Sequence, residues 1–143
     1  MANLVCTPAA GGNVAPGASL VCSFDHTAPT TGRFDTVTAA TGAANDSNTA
    51  NNTGEALVVV LDAVDDSASQ PGGLSGASTS VADNDFPLGS IYSLLPGGSC
   101  ANASVSAGGV ARYDVPASGS CTVVYEMCGP APYQAACDSA TLT

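Results

Sequence analysis

An all-β chain, folded as an antiparallel sandwich stapled by disulfides and with essentially no helix, is what this sequence predicts, on three observations. First, apolar residues nowhere recur at i, i+3, i+4 and i+7 for three turns, because Gly, Pro, Ser, Thr and Asn interrupt every window. Second, short runs rich in Val, Thr and Tyr alternate with clusters of turn residues. Third, six cysteines stand dispersed at positions 6, 22, 100, 121, 128 and 137, with no Cys-x-x-Cys pair and a single His. Zinc needs Cys and His at close spacing, so this pattern points instead to a disulfide framework and an oxidising compartment.

Taken in order, strands are expected at Leu4–Thr7, Ser19–His26, Arg33–Ala40, Glu55–Leu61, Asp65–Ser69 and Ser78–Val81. They continue at Ile91–Leu94, Ala103–Ala107, Val110–Val115, Cys121–Cys128 and Asp138–Thr143. Strands this short, at regular turn spacing, favour a two-layer antiparallel arrangement. Turns are expected at Ala15-Pro16-Gly17, Gln70-Pro71-Gly72-Gly73 and Leu95-Pro96-Gly97-Gly98, where Pro fixes φ and Gly supplies φ > 0. The polar tract Ala44–Thr53 can bury nothing and reads as an exposed loop between two strands. A boundary falls where the apolar run Ala56–Leu61 gives way to Asp62-Ala63-Val64-Asp65-Asp66. This divides the chain into a partial β unit, residues 1–61, and a fuller one, residues 62–143.

Composition narrows the function. Apolar residues make up 45% of 143, yet aromatics only 5% with no Trp, so the core is thin and covalent staples are valuable. Two basic residues, Arg33 and Arg112, face twelve acidic ones, for a formal net charge of −10. Phosphate backbones and anionic membranes are bound through Lys and Arg, so neither nucleic acid nor a membrane surface is an expected partner. Without Lys there is no Schiff-base chemistry and no Lys–Asn isopeptide crosslink. The longest apolar run, Ala56 to Leu61, is far too short to span a bilayer. Residues 1–20 lack a basic start and a continuous apolar stretch, so Met1 is expected to open a mature or recombinant piece of a larger exported protein.

Two stretches resemble bacterial surface repeats. Cys6, the turn Ala15-Pro16-Gly17-Ala18-Ser19, Cys22, the Asn-rich Asp46–Thr53 and the closing Ala56-Leu57-Val58-Val59-Val60 resemble the C-terminal half of a conserved Cys/Asn-rich extracellular repeat, over residues 3–61. Ala63–Ser67, Val81-Ala82-Asp83-Asn84-Asp85, Gly109–Tyr113, Cys121–Tyr125 and Asp138–Thr143 form an ordered series similar to a bacterial immunoglobulin-like, cadherin-like domain, over residues 62–143. The resemblance implies an immunoglobulin-like sandwich for the second unit. Such a sandwich needs about seven strands, and residues 1–61 offer four, so the first unit is expected to be completed by another segment or subunit.

Six cysteines permit 15 connectivities. The nearest-neighbour set, Cys6 with Cys22, Cys100 with Cys121 and Cys128 with Cys137, is the expected one, because the first and last pairs flank turns between adjacent strands. Each closed loop is worth roughly 2–3 kcal/mol through the unfolded chain. For a cofactor the residues offer only calcium: hard cations take oxygens from Asp, Asn and carbonyls, and Asp65, Asp66, Asp83 and Asp85, with Asp62 and Asn84 beside them, arrive from two loops near the boundary. The same residues are also ordinary turn formers. Catalysis has no footing: His26 is the lone imidazole, no Gly-x-Ser-x-Gly elbow is present, and Asp65 and Asp66 would point to opposite faces of a strand. Tyr92, Tyr113 and Tyr125 read as core. Asn45, Asn51 and Asn102 open Asn-x-Ser/Thr triplets to which no role is assigned.

The expected function is therefore a non-enzymatic spacer in a stalk, adhesin or fibre at the bacterial cell surface, with neighbouring repeats or identical subunits as partners. The alternative is a filament subunit joined by β-strand addition.

Overall fold

A computed structural model describes residues 2–9, 11–15, 17–42 and 47–143, Asn51 by its backbone alone. The described residues form ten strands and one short 3-10 turn. The strands are β1 (Ala2–Thr7), β2 (Val21–Asp25), β3 (Arg33–Ala40), β4 (Thr53–Val60), β5 (Ala77–Ser80), β6 (Ile91–Leu94), β7 (Ala101–Val105), β8 (Val110–Asp114), β9 (Val123–Cys128) and β10 (Cys137–Leu142). Thr49–Asn51 makes the 3-10 turn inside the polar tract, of which residues 44–46 lie outside the described ones. Ala18 N donates to Ala15 O across the first expected turn, where Pro16 itself lies outside the described residues.

All strand pairs are antiparallel, and they fall into two kinds of sheet. Before Leu61 there are two separate two-stranded hairpins, β1–β2 and β3–β4. After it come two three-stranded sheets, β10-β9-β6 and β5-β8-β7, with β9 and β8 central.

The difference follows from side-chain alternation meeting, or not meeting, a second layer. Along β9, Val123, Tyr125 and Met127 are each 0% exposed, while Val124, Glu126 and Cys128 on the other face are half-buried. Ala140 and Leu142 of β10 and Tyr92 of β6 extend that inner face, and Ala77, Ala111 and Tyr113 of the opposite sheet close over it to form one core. Full burial of such a side chain is worth about 1.5–3 kcal/mol. Gly109 lets the layers approach: its φ is +74°, and a Cβ there would come within 3.1 Å of the Tyr92 ring on the facing sheet and 2.6 Å of the Ala82 side chain beside it. Among the described residues before Asp62, by contrast, only Val37 is buried. Leu4 and Val21 are both 66% exposed.

Three disulfides join Cys6 to Cys22, Cys100 to Cys121 and Cys128 to Cys137, leaving no free cysteine. The first and last connect residues directly opposite one another in their hairpins. The middle one joins the residue before β7 to the segment leading into β9, and so ties the two sheets together.

Asp65–Ser69 is a correction to the sequence reading, since no strand forms there. A strap instead touches the body at two isolated bridges, Asp62 with Phe86 and Asp66 with Leu142, the second parallel. The reason is chemical: the Asp65 carboxylate takes the Thr141 N–H at 2.8 Å, a donor that a continued ladder would have offered to a strap carbonyl. No helix is long and apolar enough to cross a membrane among the described residues.

Candidate functional site

The strap and the loop after β5 meet at the hydroxyl of Tyr125. Alternation along β9 sends this side chain into the core, and its length carries the Oη to the far rim, beneath residues 64–66 and 81–85. There Oη lies 2.9 Å from Asp66 Oδ2, 3.1 Å from Val64 O, 3.3 Å from Val81 O and 3.3 Å from Asp85 Oδ2. Asp85 is only 6% exposed. Its Oδ1 accepts the Val64 N–H at 2.7 Å, which fixes the strap against the loop. Asn84 adds weaker bonds from Nδ2 to Val64 O and Asp65 O, at 3.3 and 3.4 Å.

Electrostatics at this rim are one-sided. Burial pushes the Asp66 carboxyl above its usual range, against hydrogen bonds from Tyr125 and Asn84, with Asp83 and Asp65 adding repulsion. Burial likewise raises Asp85, opposed by the Val64 N–H and helped by the charge of Asp66. The Tyr92 hydroxyl faces Asp85 from β6 and is pushed up to about 12, first by burial and then by that carboxylate. Tyr125 is pushed up further, by burial and by its bond to Asp66.

Of the four carboxylates expected to share a cation, the structure brings two together and sends two elsewhere. Asp66 and Asp85 converge on Tyr125. Asp65 turns to the Thr141 N–H, and Asp83 accepts the Ser80 hydroxyl at 2.8 Å. Asp62 serves another purpose, accepting the Gly32 N–H at 2.9 Å. Asp66 and Asp85 with the Val64 and Val81 carbonyls present oxygens of the hard type that calcium takes, around a position that the phenol itself fills. Among the described residues, the one group of three metal-capable side chains within 4.8 Å of one another is Glu126 with Cys128 and Cys137. Its two sulfurs are bonded to each other.

Two features escaped the sequence. Tyr125 is expected as core but not as the centre of a polar cluster, and its alternation with Val123 and Met127 is the signal that places it inside. Asp114, at the end of β8, accepts from Ser75 Oγ at 2.7 Å, Gly76 N at 2.8 Å and Asn102 Nδ2 at 2.7 Å. These donors, Asn102 foremost, hold its carboxyl below the usual range. Asn102, first of an Asn-x-Ser triplet, has φ +52° where β7 bulges against β8, so its side chain reaches Asp114 from a left-handed residue.

The remaining expectations resolve locally. His26 follows β2, its Nε2 2.9 Å from Asp35 Oδ2, and Arg33 reaches the same oxygen at 3.4 Å. A concavity of about 180 Å³ beside the Cys100–Cys121 disulfide is lined by Ser69, Gln70, Tyr113 and Ser120 among others, without an acid or an imidazole. The β3–β4 hairpin contacts the body where Phe34 packs edge-on against Phe86, ring centres 5.1 Å apart, and where Gly32 lies so close that a Cβ would come within 2.7 Å of both Asp62 and Phe86. Comparison of the chain with protein-family models, with curated proteins and with solved structures finds no match.

Proposed function

We propose that the chain is a non-catalytic spacer in a bacterial extracellular stalk, adhesin or fibre, with an immunoglobulin-like sandwich in residues 62–143 and a partial repeat in residues 1–61. The observation that carries this reading is the pairing of a cored, covalently closed β body with two hairpins that add nothing to its core among the described residues, β3–β4 meeting it around Gly32, Phe34, Asp62 and Phe86. Repeats stacked end to end bury surface mainly against their neighbours, and the apolar faces of β1–β2 and β3–β4 suit such a neighbour. Three disulfides belong to an oxidising compartment, and the acidic, Lys-free composition suits an inert exposed surface.

A second reading is favoured by the edges. Among the described residues each strand of β1–β2 and of β3–β4 pairs with a strand on one side only, which leaves an edge for a further strand. Strand addition from an identical subunit would close such an edge and give open filaments whose length grows with concentration. Light scattering on the oxidised protein across a dilution series separates the two. A monomer at every concentration supports the spacer, growing particles support the filament, and a closed dimer of fixed mass removes both.

A further inference from the structure

Strand β4 presents an exposed face that continues outward from the contact holding its hairpin to the body. Residues directly opposite one another in an antiparallel pair share a face, so Phe34 with Val59, Thr36 with Leu57 and Thr38 with Glu55 make one side of β3–β4. Phe34 seats the base of this side on Phe86. Beyond it Thr36, Leu57, Thr38 and Glu55 are all exposed, whereas the other side buries Val37. A second exposed face lies on the outside of the sheet β5-β8-β7. Ala111 and Tyr113 of β8 turn into the core, so Val110 and Arg112 turn out, with Ser78 and Ser104 opposite the arginine and Ser80 opposite the valine. Ser104, Val105, Ser106, Val110 and Arg112 line a shallow concavity of about 390 Å³ there.

Charge singles out one residue on each face. Of the two cations in the chain, Arg33 pairs with Asp35, while among the described residues no carboxylate pairs with Arg112. Every described Asp carboxylate takes a hydrogen bond or an ion pair within the chain. Of the two glutamates, Glu126 is half-buried beside the Cys128–Cys137 disulfide, and Glu55 is exposed and, among the described residues, unpaired. Glu55 and Leu57 stand two residues apart on one face of β4, as Arg112 and Val110 do on β8, so both pairs are spaced about 6.8 Å along their strands. We propose that the exposed face of β3–β4 docks on the outer face of β5-β8-β7 in a second copy of the chain, Glu55 meeting Arg112 and Leu57 meeting Val110 at the edge of the concavity. This rests on the reading that identical subunits are the partners, and names the surfaces they use. An arginine fork takes a carboxylate through two parallel N–H bonds, and the apolar pair beside it fixes the register. The two faces lie on different parts of one chain, so the contact is head-to-tail and repeats from copy to copy.

The test is light scattering on the oxidised full chain across a dilution series, for the parent, Glu55→Arg, Arg112→Glu and the variant carrying both changes. Both side chains are exposed, so neither substitution enters the core. The mean mass of the parent should grow with concentration. Each single reversal sets like charges together and should raise the concentration needed for that growth about tenfold or more. The double variant restores an opposite pair and should recover the parent's growth. Glu55→Arg separates this pairing from general repulsion, because it makes a chain of net charge −10 less negative and would by itself favour association. Single variants that assemble as the parent does would overturn the docking and leave strand addition standing. A double variant that fails to recover, after singles that lose assembly, would overturn the Glu55–Arg112 pairing. A parent that is monomeric at every concentration would overturn the docking and the filament reading together and leave the spacer.

Discussion

Strands β4 and β9 are made of similar material and end in opposite environments. Ala56-Leu57-Val58-Val59-Val60 is at least as apolar as Val123-Val124-Tyr125-Glu126-Met127, yet Leu57 is 46% exposed while Val123, Tyr125 and Met127 are fully enclosed. Both strands sit in regular antiparallel ladders. What differs is the neighbourhood: β9 is central in a three-stranded sheet with a second sheet over its inner face, and among the described residues β4 has one strand partner and no facing sheet. Strand chemistry sets the ladder, and burial is a property of the second layer.

The comparison is sharpest if a large side chain is removed from each region. Met127→Ala should cost about 2–5 kcal/mol in a urea titration, because it empties a site enclosed by both sheets. Leu57→Ala should cost no more than about 0.5 kcal/mol. A Leu57 cost approaching that of Met127 would mean that β4 is covered in solution, and the contrast between the regions would fall.

Next in size are the staples. Replacing Cys128 and Cys137 by Ser should lower global stability by roughly 2–3 kcal/mol, since the closed hairpin belongs to the cored sheet. The same change at Cys6 and Cys22 should instead free the β1–β2 amides to exchange while leaving the global melt in place. Hydrogen exchange at Val5 and Ser23 reads the second case, and a matching drop in the global melt would tie that hairpin into the core.

A smaller effect is expected at the contact between regions. Phe34→Ala removes the edge-on pair with Phe86 and should loosen the β3–β4 hairpin by about 1 kcal/mol, measured as faster exchange at Thr36 and Val59 with the β9 amides unchanged. Equal acceleration in β9 would show the two regions unfolding as one. The least perturbing change is Asp114→Asn. The Asp114 carboxyl is held below the usual 3.8, so its contribution is present at neutral pH and lost as pH falls through its folded value. The variant should therefore be less stable at neutral pH and converge on the parent as pH falls through that limb, and a loss of equal size at every pH would assign it to geometry instead of charge.

Much of the ladder was legible in the sequence and little of the polar cluster. Arg33–Ala40 and Ile91–Leu94 fall on the expected residues because each run ends against clear turn punctuation. Each expected cysteine pair is also a near neighbour in sequence, so local hairpin chemistry is enough to suggest it. The strap is different: Asp65 meets Thr141 across 76 residues and Tyr125 meets Asp66 across 59. No periodicity within a window reports a partner at that distance. Asp65 and Asp66 are identical side chains on adjacent residues, and which one faces the tyrosine is set by the parallel bridge at Asp66. That bridge exists only once β10 has been laid down.

The cross-strand cysteines have a consequence for a chain held at both ends. Tension entering at one terminus passes from sulfur to sulfur, so the segments between positions 6 and 22, 100 and 121, and 128 and 137 never feel it. At ~3.3–3.6 Å per extended residue, these three sequestered loops withhold on the order of 150 Å of slack. A pulled molecule therefore runs out of length well before a reduced one does.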